Sequence, residues 1–159
     1  LPAQLAAQPC VDGGSWQWDG VRFTTWRWQQ ASEGNPASCV LQVEAASGER
    51  LLLTGDIDQA AERALLASGR DLRADWLQVP HHGSGSSSSL AFVQAVAPRA
   101  VLLSRGRYNA YGHPHPRVMA RYRALGAVVY DNVPNGTLRL LLGRYGEARG
   151  EREQRYFWR

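Results

Sequence analysis

From residue 50 to residue 130 the hydrophobic period of this chain switches back and forth, and that alternation restricts its fold more than any other feature. Short apolar runs at 50–54, 75–79, 100–104 and 127–130 have the length and composition of buried strands. The segments between them have helical spacing. Ile57, Ala61, Ala64 and Leu65 share one helical face, with Asp58 placed as an N-cap and Gly69 past the end. Leu90, Val93 and Val96/Ala97 mark the inward face of a second, short helix stopped by Pro98. Val118, Met119, Tyr122 and Leu125 make the stripe of a third, which Pro116 opens and Gly126 ends. Strands alternating with helices are βαβ units, so the expected class is α/β with helices packed on a sheet. Parallel strands place their carboxyl ends on one edge, where ligands bind.

The flanks read differently. Residues 1–14 are an Ala/Gln/Pro/Gly-rich lead-in. Trp16 and Trp18 lie at a turn, Asp19-Gly20; residues 21–28 are a strand, and Gly34-Asn35-Pro36 punctuates a polar loop. Residues 39–45 alternate, with Cys39, Leu41, Val43 and Ala45 on one face. The short turns predict antiparallel pairing in this third. Pro134-Asn135-Gly136 predicts a turn and 137–142 the last strand. The chain therefore divides into a domain at 1–143 and a charged tail at 144–159, whose Tyr156, Phe157 and Trp158 favour docking over exposure. At 159 residues one domain is expected. No apolar run approaches the roughly 18 residues that a membrane span needs. The chain opens at Leu1 without a charged-then-apolar leader, so it is expected to be a piece of something longer.

The chain has 4 histidines, and all follow predicted strands. Asp56 ends Leu51-Leu52-Leu53-Thr54-Gly55-Asp56; His81 and His82 follow Val79-Pro80; His113 and His115 lie in Gly112-His113-Pro114-His115-Pro116. A carboxylate at the end of a buried strand is costly unless paired or bound to a cation, although Asp56 would equally serve as a helix N-cap. Adjacent histidines on an extended backbone point to opposite sides. One would then bind metal and the other handle a proton, or both would simply lie in a surface loop. Gly83-Ser84 offers backbone N–H groups and a hydroxyl to a phosphate oxygen. Pro114 and Pro116 stiffen a His-x-His pair suited to Zn or Mn, with helix start as the alternative role for His115. Together these groups predict a metal or phosphate site on one sheet edge.

Charge adds a partner. All 18 basic residues are arginine, a bias that GC-rich codon usage would also produce. Their distribution says more. Residues 1–75 hold six Arg and ten acids, whereas 76–130 hold six Arg and no acid. The histidine loops thus lie in an electropositive stretch that suits nucleic acid. Arg105, Arg107 and Asn109, with Ser84 and His115, are the candidate substrate or phosphate contacts. Cys10 and Cys39 match no zinc spacing, and on these grounds a pair and two free thiols stand equal.

The three motifs Leu52-Leu53-Thr54-Gly55-Asp56-Ile57, Val79-Pro80-His81-His82-Gly83-Ser84 and Asn109-Ala110-Tyr111-Gly112-His113-Pro114-His115 closely resemble the C-terminal metallo-β-lactamase-like domain of ComEC, the inner-membrane channel of natural DNA uptake. Asn35-Pro36-Ala37-Ser38-Cys39-Val40-Leu41 is similar to the strand entry that precedes Thr-Gly-Asp there. The resemblance implies an αβ/βα sandwich binding divalent Mn or Zn. Asp56 would be the bridging carboxylate, His113 the late histidine ligand, and His81 a further metal contact beside a catalytic His82. It implies hydrolysis of phosphodiesters in the non-imported DNA strand, on the periplasmic side of the inner membrane. No histidine precedes His81, so the family's first motif, His-x-(His/Asp)-x-Asp-His, is absent. The chain should then be the second part of the sandwich, with the N-terminal half and the membrane channel as partners alongside DNA. The rival readings are a DNA-binding module of the channel that does not cut, and a hydrolase of a small phosphoester. A periplasm-facing position, with the placement of both cysteines in the β-rich third, leads us to expect a Cys10–Cys39 disulfide.

Overall fold

The computed structural model describes residues 9–153, so Tyr156, Phe157 and Trp158 lie outside the described residues. Seven strands lie side by side in chain order: β1 (Ser15–Trp18), β2 (Val21–Trp26), β3 (Val40–Glu44), β4 (Arg50–Leu53), β5 (Trp76–Gln78), β6 (Ala100–Leu103) and β7 (Val128–Asp131). Pairing is antiparallel from β1 to β4 and parallel from β4 to β7. The parallel steps are bridged by α1 (Gln59–Ala67), α2 (Leu90–Val96) and α3 (Pro116–Ala124). The fold is mixed α/β, and the period change at residue 50 marks where pairing changes sense.

Local chemistry starts each helix. Asp58 Oδ1 accepts from the amides of Ala60 and Ala61 at 2.9 and 3.0 Å, and Ser89 Oγ accepts from Phe92 N at 3.3 Å. Ile57, Ala61 and Leu65 are buried as their spacing predicts, as are Val118, Met119 and Tyr122, whereas Leu125, the C-cap of α3, is 42% exposed. The face of α2 differs from expectation. Phe92, Val93 and Val96 are buried, while Leu90 is 54% exposed and Ala97 is exposed too. With the cap at Ser89, Leu90 lies two residues from Phe92, about 200° around the helix, so burying one exposes the other.

The end of the domain also departs from the pattern. In place of a simple turn, Asn132–Asn135 forms a single helical turn, α4, capped by Asp131 Oδ1 on Val133 N at 2.9 Å. The last strand shortens to β8 (Leu138–Arg139), which pairs with β9 (Arg149–Gly150) and not with the main sheet. Leu140 and Leu142 instead pack across the sheet against Trp76, Ala100 and Ala148, because that side of the central strands is otherwise bare.

The sheet has two unlike faces. Trp26, Val40, Leu52, Leu77 and Val101 point into the core beneath the helices. Directly paired residues share a face, so the register puts Trp16, Phe23, Val43 and Leu51 together on the other side. Phe23, Leu41, Val43, Leu51 and Leu53 are only partly covered there, and Trp16 and Trp18 are 48% and 75% exposed.

Cys10 and Cys39 are joined by a disulfide, with Cα atoms 5.9 Å apart and a sequence separation of 29. The bond ties the lead-in to the start of β3 across the end of β2. Replacing both cysteines with serine should lower stability by roughly 3–4 kcal/mol, from the loop entropy returned to the unfolded chain. Urea denaturation of the variant against non-reduced protein measures this, and equal midpoints would show that the bond carries no stability.

Candidate metal and phosphate edge

The carboxyl ends of β4, β5 and β6 meet on one edge, as parallel neighbours must. Asp58, not Asp56, caps α1, which leaves the Asp56 carboxylate for another role. The Asp56 backbone N–H donates to Ser38 Oγ at 3.2 Å. The turn before it is fixed by Gln78, whose Oε1 accepts from Thr54 N and Gly55 N at 3.0 Å each, while Thr54 Oγ1 donates to Gln78 O at 3.0 Å. A lone polar residue at the end of the apolar run 76–79 was the available sequence signal for this clamp.

His81 and His82 are not extended. Both hold left-handed backbone, at φ 47° and 55°, inside a tight turn at Pro80–Gly83. The backbone therefore does not force them to opposite sides, and the rings splay 6.4 Å apart at 63°. His82 Nδ1 donates to Ser104 O at 2.7 Å, which turns Nε2 toward Asp56 Oδ1 at 3.7 Å. His81 turns away, and its Nε2 accepts from Asn35 Nδ2 at 3.1 Å. Of the adjacent pair, it is thus His82 that faces the carboxylate.

His113 lies with its ring 5.8 Å from that of His81 and stacks on Tyr111 at 5.7 Å. Burial holds its imidazole below the ordinary value of 6.5, and positive charge on His81, His82 and His115 pushes the same way. Because the folded value is lowered, protonation opposes the folded form, so this residue's contribution weakens as pH falls below 6.5. In His81→Gln, the His113 pKa should move up toward its ordinary value in an NMR titration. An unmoved value would show that His81 does not contribute to the lowering.

The remaining candidates are mostly occupied within the protein. His115 is the N-cap of α3, its Nδ1 accepting from Arg117 N at 3.1 Å. The buried Ser84 hydroxyl meets Ser86 Oγ at 3.0 Å. Arg105 grips Asp131 Oδ2 with Nε and Nη2 at 2.9 and 2.7 Å. Asn109 closes its own loop onto His113. Arg107 is exposed beside Tyr108. The acid-free stretch is likewise partly spent: Arg99 pairs with Glu49 and Arg121 donates to Ser88 O, whereas Arg107, Arg117 and Arg123 stay exposed.

A hard carboxylate oxygen and an imidazole nitrogen suit a divalent ion, and Asp56 with His82 offers one of each. An open catalytic zinc site keeps three protein ligands. Among the described residues no group of three or more His, Cys, Asp or Glu side chains is placed to hold an ion. These residues by themselves do not fit a resident metal, and no hydrolytic step follows from them alone.

No family model matches the chain. The chain is 40% identical over 147 residues to the competence protein ComA of Neisseria gonorrhoeae, a match that covers 90% of the chain and 21% of that protein. It is 44% identical over 132 residues to the protein YcaI of Escherichia coli, covering 81% of the chain and 17% of the relative. Its identity to the ComE operon protein 3 of Bacillus subtilis is 34% over 104 residues, 65% of the chain and 13% of the relative. The chain thus spans about a fifth or less of the length of these relatives, and among its described residues no helix is long and apolar enough to cross a membrane. By sequence the chain is ComEC-like, homologous to one stretch of much longer proteins, among them one named a competence protein.

Proposed function

We propose that this chain is one layer of a metallo-β-lactamase-like domain in a DNA-uptake protein, and that the domain hydrolyses phosphodiesters with a divalent metal. What carries the proposal is the pairing of Asp56 with His82 at the ends of parallel strands. With Nδ1–H given to Ser104 O, His82 directs Nε2 at the Asp56 carboxylate 3.7 Å away, one nitrogen and one oxygen donor of the kind a divalent ion takes. Mn²⁺ or Zn²⁺ would take these two donors and its other ligands from a second layer. The half-covered apolar face at Phe23, Leu41, Val43 and Leu53 supports such a layer, since sheets bury apolar faces against a partner. That layer is the partner half of the sandwich, beside the membrane channel of the parent protein. The Cys10–Cys39 disulfide supports an oxidising, periplasm-facing position. The names of the competence relatives support DNA as substrate.

The purified 159-residue chain should not cleave DNA with Mn²⁺, because it offers too few ligands. It should bind DNA weakly through Arg107, Arg117 and Arg123, the exposed arginines of residues 76–130 that no acid pairs, Arg99 being held by Glu49. Three phosphate contacts predict a slope of about −3 for log K against log salt on duplex DNA. A nuclease assay and a two-salt binding titration test both points. Robust metal-dependent cleavage by this chain would show the ligand set to be complete, and binding indifferent to salt would remove the arginine edge from the proposal.

A further inference from the structure

The loop between β6 and α3 carries two tyrosines that packing does not use. Tyr108 is 91% exposed and Tyr111 is 82% exposed. They flank Asn109, whose Nδ2 donates to Gly106 O at 3.0 Å and His113 O at 2.9 Å, while its Oδ1 accepts from His113 N at 2.8 Å. One side chain therefore staples the loop shut, with a tyrosine on either side in solvent. The rings are not scattered. Tyr111 stacks on His113 at 5.7 Å with planes 19° apart, and His113 lies 5.8 Å from His81. The Arg107 guanidinium is 5.8 Å from the Tyr108 ring centre. A row of rings thus runs from His82 through His81 and His113 to Tyr111, while Tyr108, three residues before Tyr111 on the same stapled loop, has Arg107 beside it, within a stretch that has no acid.

We propose that Tyr108 and Tyr111 are a stacking platform for unpaired bases, so that the nucleic acid taken by this edge is single-stranded. The inference rests on the DNA-handling role proposed above and adds the strand state of the substrate. In a duplex the faces of the bases are covered by their neighbours, and only edges and phosphates are presented. An exposed tyrosine face has a partner only where bases are unstacked, and every base offers such a face, so the contact is tolerant of sequence. Arg107 meets the phosphate beside the stacked base, which a bare apolar patch for a protein would not require. A rigid, stapled loop spends little further entropy when it is covered.

The test is fluorescence anisotropy of the full 159-residue chain with a labelled single strand and with the duplex of the same sequence, at two salt concentrations. The variants are Tyr108→Ala, Tyr111→Ala, both together, and both changed to Phe. Both positions are exposed, so melting temperatures should match the wild type and report on folding. Each alanine should weaken single-strand binding about tenfold, with the duplex much less affected and the phenylalanine pair close to wild type. The salt slope should stay the same, because no charge is removed. Equal losses on both substrates, or an unchanged single-strand affinity in the double alanine variant, would overturn the platform and leave the DNA-handling role standing. A wild-type chain that binds neither substrate at low salt would overturn both.

Discussion

Glu49→Ala is expected to destabilise the protein by roughly 3–5 kcal/mol, because it removes a buried carboxylate that four donors share. The Glu49 side chain is fully buried at the amino ends of the parallel strands, opposite the histidine edge. It accepts from Trp76 Nε1 at 2.8 Å, Arg99 Nη2 at 2.8 Å, Tyr145 N at 2.9 Å and also from Gly143 N. One carboxylate therefore joins β5, the entry to β6 and the segment that crosses the sheet after β8. Truncation would leave four donors without their acceptor, one of them charged. Burial raises the Glu49 pKa, but the bonds from Trp76, Tyr145, Gly143 and Arg99 outweigh it and hold the group below its ordinary value of 4.5. A lowered folded value means that the contribution is complete above 4.5 and is lost as pH falls through the folded value. Urea denaturation at neutral and acid pH tests this, with Glu49→Gln as the uncharged comparison. The gap between wild type and Glu49→Gln should close in acid. A gap independent of pH would mean that the charge of Glu49 is not what matters.

Gly83→Ala should cost about 4 kcal/mol and disturb both histidine loops together. Gly83 has φ +80°, and a Cβ there would lie 2.7 Å from Pro114 Cβ and 3.2 Å from Pro114 Cα. The same residue's carbonyl accepts from His115 N at 2.8 Å. The His81-His82-Gly83 turn and the His113-Pro114-His115 segment are thus docked at a point with no room for a methyl group. The alanine chain must adopt left-handed backbone and push Pro114 away, which separates His113 from His81. Denaturation gives the energy, and ring-proton chemical shifts of His81 and His113 give the displacement. A variant within about 1 kcal/mol of wild type, with both rings unshifted, would show that the contact is slack.

The strand and helix order from residue 50 onward was legible because it is written in neighbouring side chains. Asp58 caps the helix that follows it, and Ile57, Ala61 and Leu65 bury together, because a helix brings residues four apart onto one face. The meeting of Asp56 and His82 followed from the same local pattern, since the parallel strands β4 and β5 line up their carboxyl ends. Even here Leu90 misled, because an apolar residue in the first turn of a short helix can lie on either side of the cap that sets the phase.

The chain by itself determined the α/β class, the placement of Asp56 and the four histidines after strand ends and an arginine-only basic segment without acids. Tertiary structure alone decided which groups remain available there. Arg99 meets Glu49 across 50 residues, Arg105 meets Asp131 across 26, and Arg121 reaches Ser88 across 33. His82 is aimed by Ser104 O, 22 residues away, and His81 is held by Asn35, 46 residues away. Periodicity and caps act over one or two turns of chain, so a sequence displays them. An ion pair or ring orientation depends on which strands become neighbours and how far each side chain reaches across them, and that is settled only when the sheet closes.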